Sequence, residues 1–123
     1  MERENGYEFD FERLVVYQKG LALVKTIFQM TRELPREYQY SVTDQLRRAA
    51  LSVVNNLAEG SGKLSKKEKA LFYRTSLNSV RECVPMLTVL ASEGKLSAPQ
   101  HQQLRSDVIH IANMLGKLIA SIN

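Results

Sequence analysis

Lys67, Arg74 and Arg81 stand seven residues apart in the middle of the chain. On a helix that interval returns each side chain to nearly the same azimuth. At 1.5 Å rise per residue, successive members lie ~10 Å apart. Lys63, Lys66 and Lys69 add charge at the N-terminal end of this row, and Asn78 lies beside it. Residues 47–81 hold eight basic residues (Arg47, Arg48, Lys63, Lys66, Lys67, Lys69, Arg74, Arg81) against two acids, Glu59 and Glu68. A row of cations can follow a phosphate backbone, giving binding that is strongly salt-dependent and weakly sequence-specific. The candidate nucleic-acid-binding residues are therefore Lys63, Lys66, Lys67, Arg74 and Arg81. Arg47, on the flank of the preceding helix, belongs either with them or with a second polar set. The plain alternative is a solvated helix edge. The row has no neighbouring aromatic platform of the kind single-strand binders use to stack bases.

The second polar set is Arg48, Ser52, Asn55, Asn56 and Glu59, with Glu82 further along. Charge-assisted bonds among Arg48, Asn56, Glu59 and Glu82 would orient helices or subunits. Wiring rather than a reaction site is the expectation for this set.

Catalysis has little to stand on. His101 and His110 are nine residues apart, so they are not the i, i+4 pair that would share a metal from one helix face. His101 falls on an apolar seam, where a packed or half-exposed imidazole is the simpler reading. The Glu-x-x-His pairs of di-iron bundles are absent. Gly60-Ser61-Gly62 lacks the longer phosphate-loop motif and reads as a helix stop. Cys83, the single cysteine, excludes an internal disulfide and falls on a core face, where a thiol is inert. The sequence thus points to no catalytic residue, no metal, no cofactor and no enzymatic activity.

These residues must be positioned by helices. The 123 residues suffice for one domain with a real core, and 44% apolar with 24% charged content is ordinary for a globular chain. Residues 1–12 carry five acids and one Arg, which leaves a net +8 on the rest of a chain whose total is +4. Residues 1–10 read as a flexible acidic tail, with Asp10 as an N-cap, and 11–123 as a single helical domain. No signal peptide and no run of ~18 apolar residues is present, so no membrane span and a cytoplasmic location are expected.

From Phe11 to Leu34 two apolar stripes step by three and four: Leu14, Tyr17, Leu21, Val24, Phe28, Thr31, and Val16, Gly20, Leu23, Ile27, Met30, Leu34. One serves the core, and the other suits a neighbouring subunit or a wider core face. Pro35 ends this helix. Ser41 or Thr43 is the expected cap of a second helix, with Val42, Leu46, Ala49, Ala50, Val53 and Leu57 on one face. Ser65 and Glu68 form a capping box for a third, from Lys66 to about Ser92. Its expected core face is Phe72, Tyr73, Leu77, Val80, Val84, Leu87 and Ala91, with Ser76 and Cys83 among them, and Pro85 should kink it. Ser97 and Gln100 box a fourth, whose seam runs His101, Leu104, Val108, Ile111, Leu115, Leu118, Ile122. The prediction is an all-α, antiparallel up-down-up-down four-helix bundle.

Three segments, FERLVVYQKGLAL (11–23), DQLRRAALSVVNNLAEGSG (44–62) and SKKEKALFYRTSLNSVRE (65–82), carry a resemblance. The chain resembles the bacterial four-helix-bundle proteins encoded in intervening sequences of 23S ribosomal RNA genes, over nearly everything after the acidic tail. The RRAA-x-S-V-x-N-N-L-A-E-G run is its most specific part. Tyr17 departs from the Trp that members often carry there. The resemblance implies a ring-like homopentamer with no known enzymatic activity and an unclear role, and it gives the extra stripe of the first helix an occupant. A related branch, accessory proteins of diversity-generating retroelements, implies RNA or DNA and a reverse transcriptase as partners. A scaffold that binds only protein is the rival expectation.

Overall fold

The computed structural model of the chain describes residues 8–122. Four helices dominate it: α1 (Val15–Arg32), α2 (Val42–Ser61), α3 (Lys66–Ser92) and α4 (Ala98–Ile122), with short 3-10 turns at Asp10–Arg13 and Arg36–Tyr38. Among the described residues there is no strand. Helices consecutive in sequence pack on each other, and α4 returns to α1 to close the bundle. Contacts ascend one helix as they descend the next. Gly20 meets Val54 while Thr31 meets Arg47; Ser52 meets Ser79 while Gly60 meets Tyr73. The pairs α1/α2 and α2/α3 therefore run in opposite directions.

The core is built from one line of side chains per helix: Val16, Leu23 and Ile27; Leu46, Val53 and Leu57; Val80, Leu87 and Leu90; Leu104, Val108, Ile111 and Leu115. On α1 the stripe that faces inward is Val16–Gly20–Leu23–Ile27, joined by Thr31. Leu14, Tyr17, Leu21, Val24 and Phe28 are left half-buried along its flank. On α3 the buried line is Tyr73, Ser76, Val80, Cys83, Leu87 and Leu90, with Ala70 and Ser79. That line is rotated from the expected one. Phe72, Leu77, Val84 and Ala91 sit half-buried at its margin. Pro85 takes an exposed position, and α3 continues through it.

The ends also depart from expectation in places. The first α-helix begins at Val15, not Phe11. Leu14 is extended, with φ −69° and ψ 127°, and Asp10 opens the 3-10 turn instead of capping α1. Phe9 stacks on Phe11 at 5.7 Å, and Phe11 meets Tyr17 edge-on at 4.9 Å. These contacts link the Phe9 and Phe11 rings to Tyr17 of α1; residues 1–7 of the expected tail lie outside the described residues. Ser41 precedes α2, but its hydroxyl donates back to the Tyr38 carbonyl and caps nothing. The Thr43 hydroxyl is fully buried without a partner among the described residues. Ser65 accepts from the Glu68 N–H at 3.2 Å, one half of its expected box. Ser97 and Gln100 form the full reciprocal pair at 2.9 and 3.2 Å. Gly94 ends α3 at φ +72°, a left-handed turn open to glycine, which lets the Lys95 N–H reach the Leu90 carbonyl at 2.9 Å.

At Gly60 the α2 backbone lies close against α3. A Cβ there would lie 2.8 Å from Tyr73 Cε1 and 3.0 Å from Phe72 Cβ, both on one neighbouring helix. Gly60→Ala should therefore lower stability by about 1–3 kcal/mol through overpacking. Gly116, in the exposed interior of α4 with nothing within 4 Å of its Cβ position, should do the opposite. Gly116→Ala should raise stability by roughly 0.5–1 kcal/mol through helix propensity. Urea midpoints of the two variants against the parent check both signs.

Candidate nucleic-acid interface

Lys66 and Lys67 occupy the first turn of α3, and Arg74 and Arg81 follow at two-turn intervals along it. All four are exposed, and none makes a hydrogen bond or ion pair with a described residue. They sit there because Ala70, Tyr73, Ser76, Val80 and Cys83 turn inward. Side chains at 66, 67, 74 and 81 are then carried to the outer edge, in line with the spacing argument.

The other cations assigned to this surface are held within the protomer. Lys63 Nζ lies 3.2 Å from Glu59 Oε2 and 5.1 Å over the Phe72 ring. Lys69 turns back to the end of α2, where Nζ donates to the carbonyls of Gly60 at 3.2 Å and Ser61 at 2.9 Å. It thereby satisfies two carbonyls that a helix terminus leaves without partners. Arg47 joins α2 to α1. Its Nε donates to Thr31 Oγ1 at 2.8 Å, and its guanidinium lies 5.4 Å from the Phe28 ring centre. Thr31 in turn donates to the Ile27 carbonyl, and Gln39 Nε2 donates to the carbonyls of Thr31 and Leu34. This half-buried joint gives Arg47 partners on α1.

The expected Arg48–Asn56–Glu59–Glu82 network does not form within the protomer. Arg48 Nε bonds Asp44 Oδ2 at 3.1 Å one turn away, Glu59 takes Lys63, and exposed Glu82 bonds no described residue. Each paired charge has met a partner four residues away on its own side of the crossing, which needs no cross-helix ordering of two long side chains. The helices are wired by small hydroxyls instead. Ser79 Oγ donates to the Thr75 carbonyl at 2.9 Å, so in the 2.7 Å Ser52–Ser79 contact Ser52 is the donor. Asn56 Nδ2 donates to Ser52 Oγ at 2.9 Å and to the Ser52 carbonyl at 2.8 Å. Hydrogen bonds are thus donated in one direction, from Asn56 through Ser52 and Ser79 to the Thr75 carbonyl. Beside this chain, buried Ser76 Oγ donates to the Val53 carbonyl at 2.7 Å. Sequence reading placed Ser52 and Asn56 in the polar set and Ser76 on the core face of α3, but missed Ser79 and the pairing between the helices. The available signal was small hydroxyls on the inner side of α3, at 76 and 79, facing Ser52.

Among the described residues no group of three or more His, Cys, Asp or Glu side chains could hold a metal ion, and no helix is long and apolar enough to cross a membrane. His101 is half-buried and His110 exposed.

A family model described as 23S rRNA-intervening sequence protein matches residues 12–117. The chain belongs to that family. The match takes in all the helical residues that build the core and every cation of the edge. A crystal structure of a protein of unknown function from the S23 ribosomal protein family of Bacteroides thetaiotaomicron has the same fold. Its TM-score is 0.79 over 85% of this chain and 98% of that one, at 19% identity. No curated protein matches the chain.

Cys83 stands apart from any chemistry. Its thiol is fully buried and points to the Ser79 carbonyl at 3.6 Å; burial, helped by the nearby Glu82 charge, pushes it up to about 12 from its ordinary value of 9.0. Iodoacetamide at mildly alkaline pH should leave the folded protein unmodified and label it fully in urea. The unfolded thiol ionises first, so the stability tied to Cys83 is complete below its ordinary value and falls as pH rises from there toward 12. Cys83→Ala should flatten that part of a stability–pH curve.

Proposed function

We propose that this protein is a non-enzymatic, oligomeric RNA-binding module of the intervening-sequence type, and that Lys66, Lys67, Arg74 and Arg81 contact the phosphates. The observation that carries this reading is the division among the cations. Lys63, Lys69 and Arg47 are bound within the protomer, whereas these four project from one helix edge without side-chain partners among the described residues. Their charge is available to replace counterions released from a polyanion. The half-buried apolar flank of α1, with Leu21 and Phe28 outside the packed core, supports assembly into a ring of copies, a homopentamer by the family resemblance. A ring repeats a weak phosphate contact several times, and avidity raises it to useful affinity. The matched family model favours the intervening-sequence role over the retroelement role with its reverse transcriptase.

Binding of structured RNA, followed by anisotropy across a salt series, tests the edge. The parent should bind at low salt and weaken steeply as salt rises. The Lys67→Ala/Arg74→Ala/Arg81→Ala variant should lose most of that affinity. If each of the three neutralises one phosphate, its log–log salt slope should be shallower by about 2–3. Arg48→Ala, which removes a cation paired with Asp44, should bind as the parent does. Unchanged binding by the triple variant sinks the reading. Light scattering should give a mass several times the 14.0 kDa protomer. A monomer mass would return the α1 flank to the role of a wide core face.

A further inference from the structure

We propose that the α3 start and the α4 end together form a pocket for a terminal phosphomonoester, so that the basic edge recognises a nucleic-acid end and not only the phosphodiester track. This rests on the RNA-binding reading and names the group that the edge selects.

Three cations of the edge share one depression, and the fourth does not. Lys66, Lys67 and Arg74 line a depression of about 340 Å³ together with Ala70 and Ile122; Arg81 lies outside it. Buried Ala70 stands one turn from both lysines and one turn from Arg74, and its small side chain leaves the space between them open. Ile122, in the last turn of α4, supplies an apolar wall. A diester backbone running along α3 would meet Lys67, Arg74 and Arg81 as equivalent stations. A pocket that gathers Lys66 with the first two and omits the third is shaped for one group held from several sides.

The charge of that group follows. An internal phosphodiester carries one negative charge, whereas a phosphomonoester carries about −1.5 to −2 near neutral pH. Three cations around one depression gain more from the second. The guanidinium of Arg74 can take two of its oxygens in a fork, while the lysines act as mobile point charges. None of the three has a competing bond to a described residue. The volume exceeds that of a phosphate alone and lies in the range of small-ligand sites, roughly 300–1,000 Å³, so the attached sugar can enter against Ile122 and Ala70. A 5′-phosphate and a 3′-phosphate end share this chemistry.

Two measurements on the full chain test the pocket. Inorganic phosphate titrated into isotope-labelled protein should shift the amide resonances of Lys66, Lys67, Ala70, Arg74 and Ile122 ahead of those near Arg81. Short RNAs of one sequence, ending in a 5′-phosphate, a 3′-phosphate or hydroxyls only, should then separate by anisotropy. One phosphorylated end should bind about tenfold tighter than the hydroxyl form, the order of gain expected for a well-placed charge-assisted pair. The tighter of the two identifies the source. Arg74→Gln should abolish the preference, and Arg81→Gln should weaken all three RNAs alike while keeping it. Equal affinity for the three RNAs overturns the pocket and leaves the RNA reading standing. Phosphate shifts confined to the pocket, with no binding of any RNA, support the monoester site and sink the RNA reading. Phosphate shifts spread evenly over the surface overturn the pocket.

Discussion

The close crossing of α2 and α3 sets everything else in this protein. Gly60 admits the Tyr73 ring to within a distance no side chain would allow, and the serines at 52, 76 and 79 bridge the same interface with bonds of 2.7 Å. Steric fit fixes how near the helices come. Hydrogen bonding fixes their rotation, because a buried hydroxyl that loses its partner costs about 1–3 kcal/mol. A rotation of α3 that returned Phe72 and Leu77 to the centre would carry Ser76 away from its acceptor, the Val53 carbonyl, and Ser79 away from its donor, Ser52.

That rotation decides which charges are available. In the first turns of α3, Lys66 and Lys67 are carried outward, whereas Lys69 is turned toward α2 and closes its C-terminal carbonyls. Three lysines within four residues thus divide into two for solvent and one for structure. Arg47 and Arg48, adjacent in sequence, divide in the same way. Arg47 reaches across to Thr31 and Phe28 to tie α1 to α2, while Arg48 stays on the surface with Asp44. Counting cations over residues 47–81 therefore overstates the charge that is exposed and unpaired among the described residues. What remains is a narrower row whose first members gather beside the last turn of α4.

The two faces with no use in the protomer's own core are complementary in kind. One is the half-buried apolar flank of α1; the other is the basic edge of α3. Membership in the 23S rRNA-intervening sequence protein family accounts for the shared architecture, and the likeness to the Bacteroides structure extends over nearly the whole of that shorter chain at low identity. Fold persists at such identity because a heptad-spaced core tolerates exchange among apolar residues of similar volume.

The sequence by itself determined four helices, most of their boundaries and the seam of α4, since apolar spacing and end signals such as Ser97-x-x-Gln100 are local and need no partner to be read. It also determined the seven-residue row of Lys67, Arg74 and Arg81, which follows from helical period alone. Tertiary structure decided the rest. Which of two stripes on α1 enters the core, how α3 is rotated, and where the first helix begins behind the Phe9–Phe11–Tyr17 rings all depend on what lies opposite. The same holds for the fate of each charge. Lys63, Lys69 and Arg47 are indistinguishable from Lys66, Lys67 and Arg74 by residue type, and only the neighbouring helix supplies the carbonyls, ring or hydroxyl that hold three of them and leave the others without a partner among the described residues.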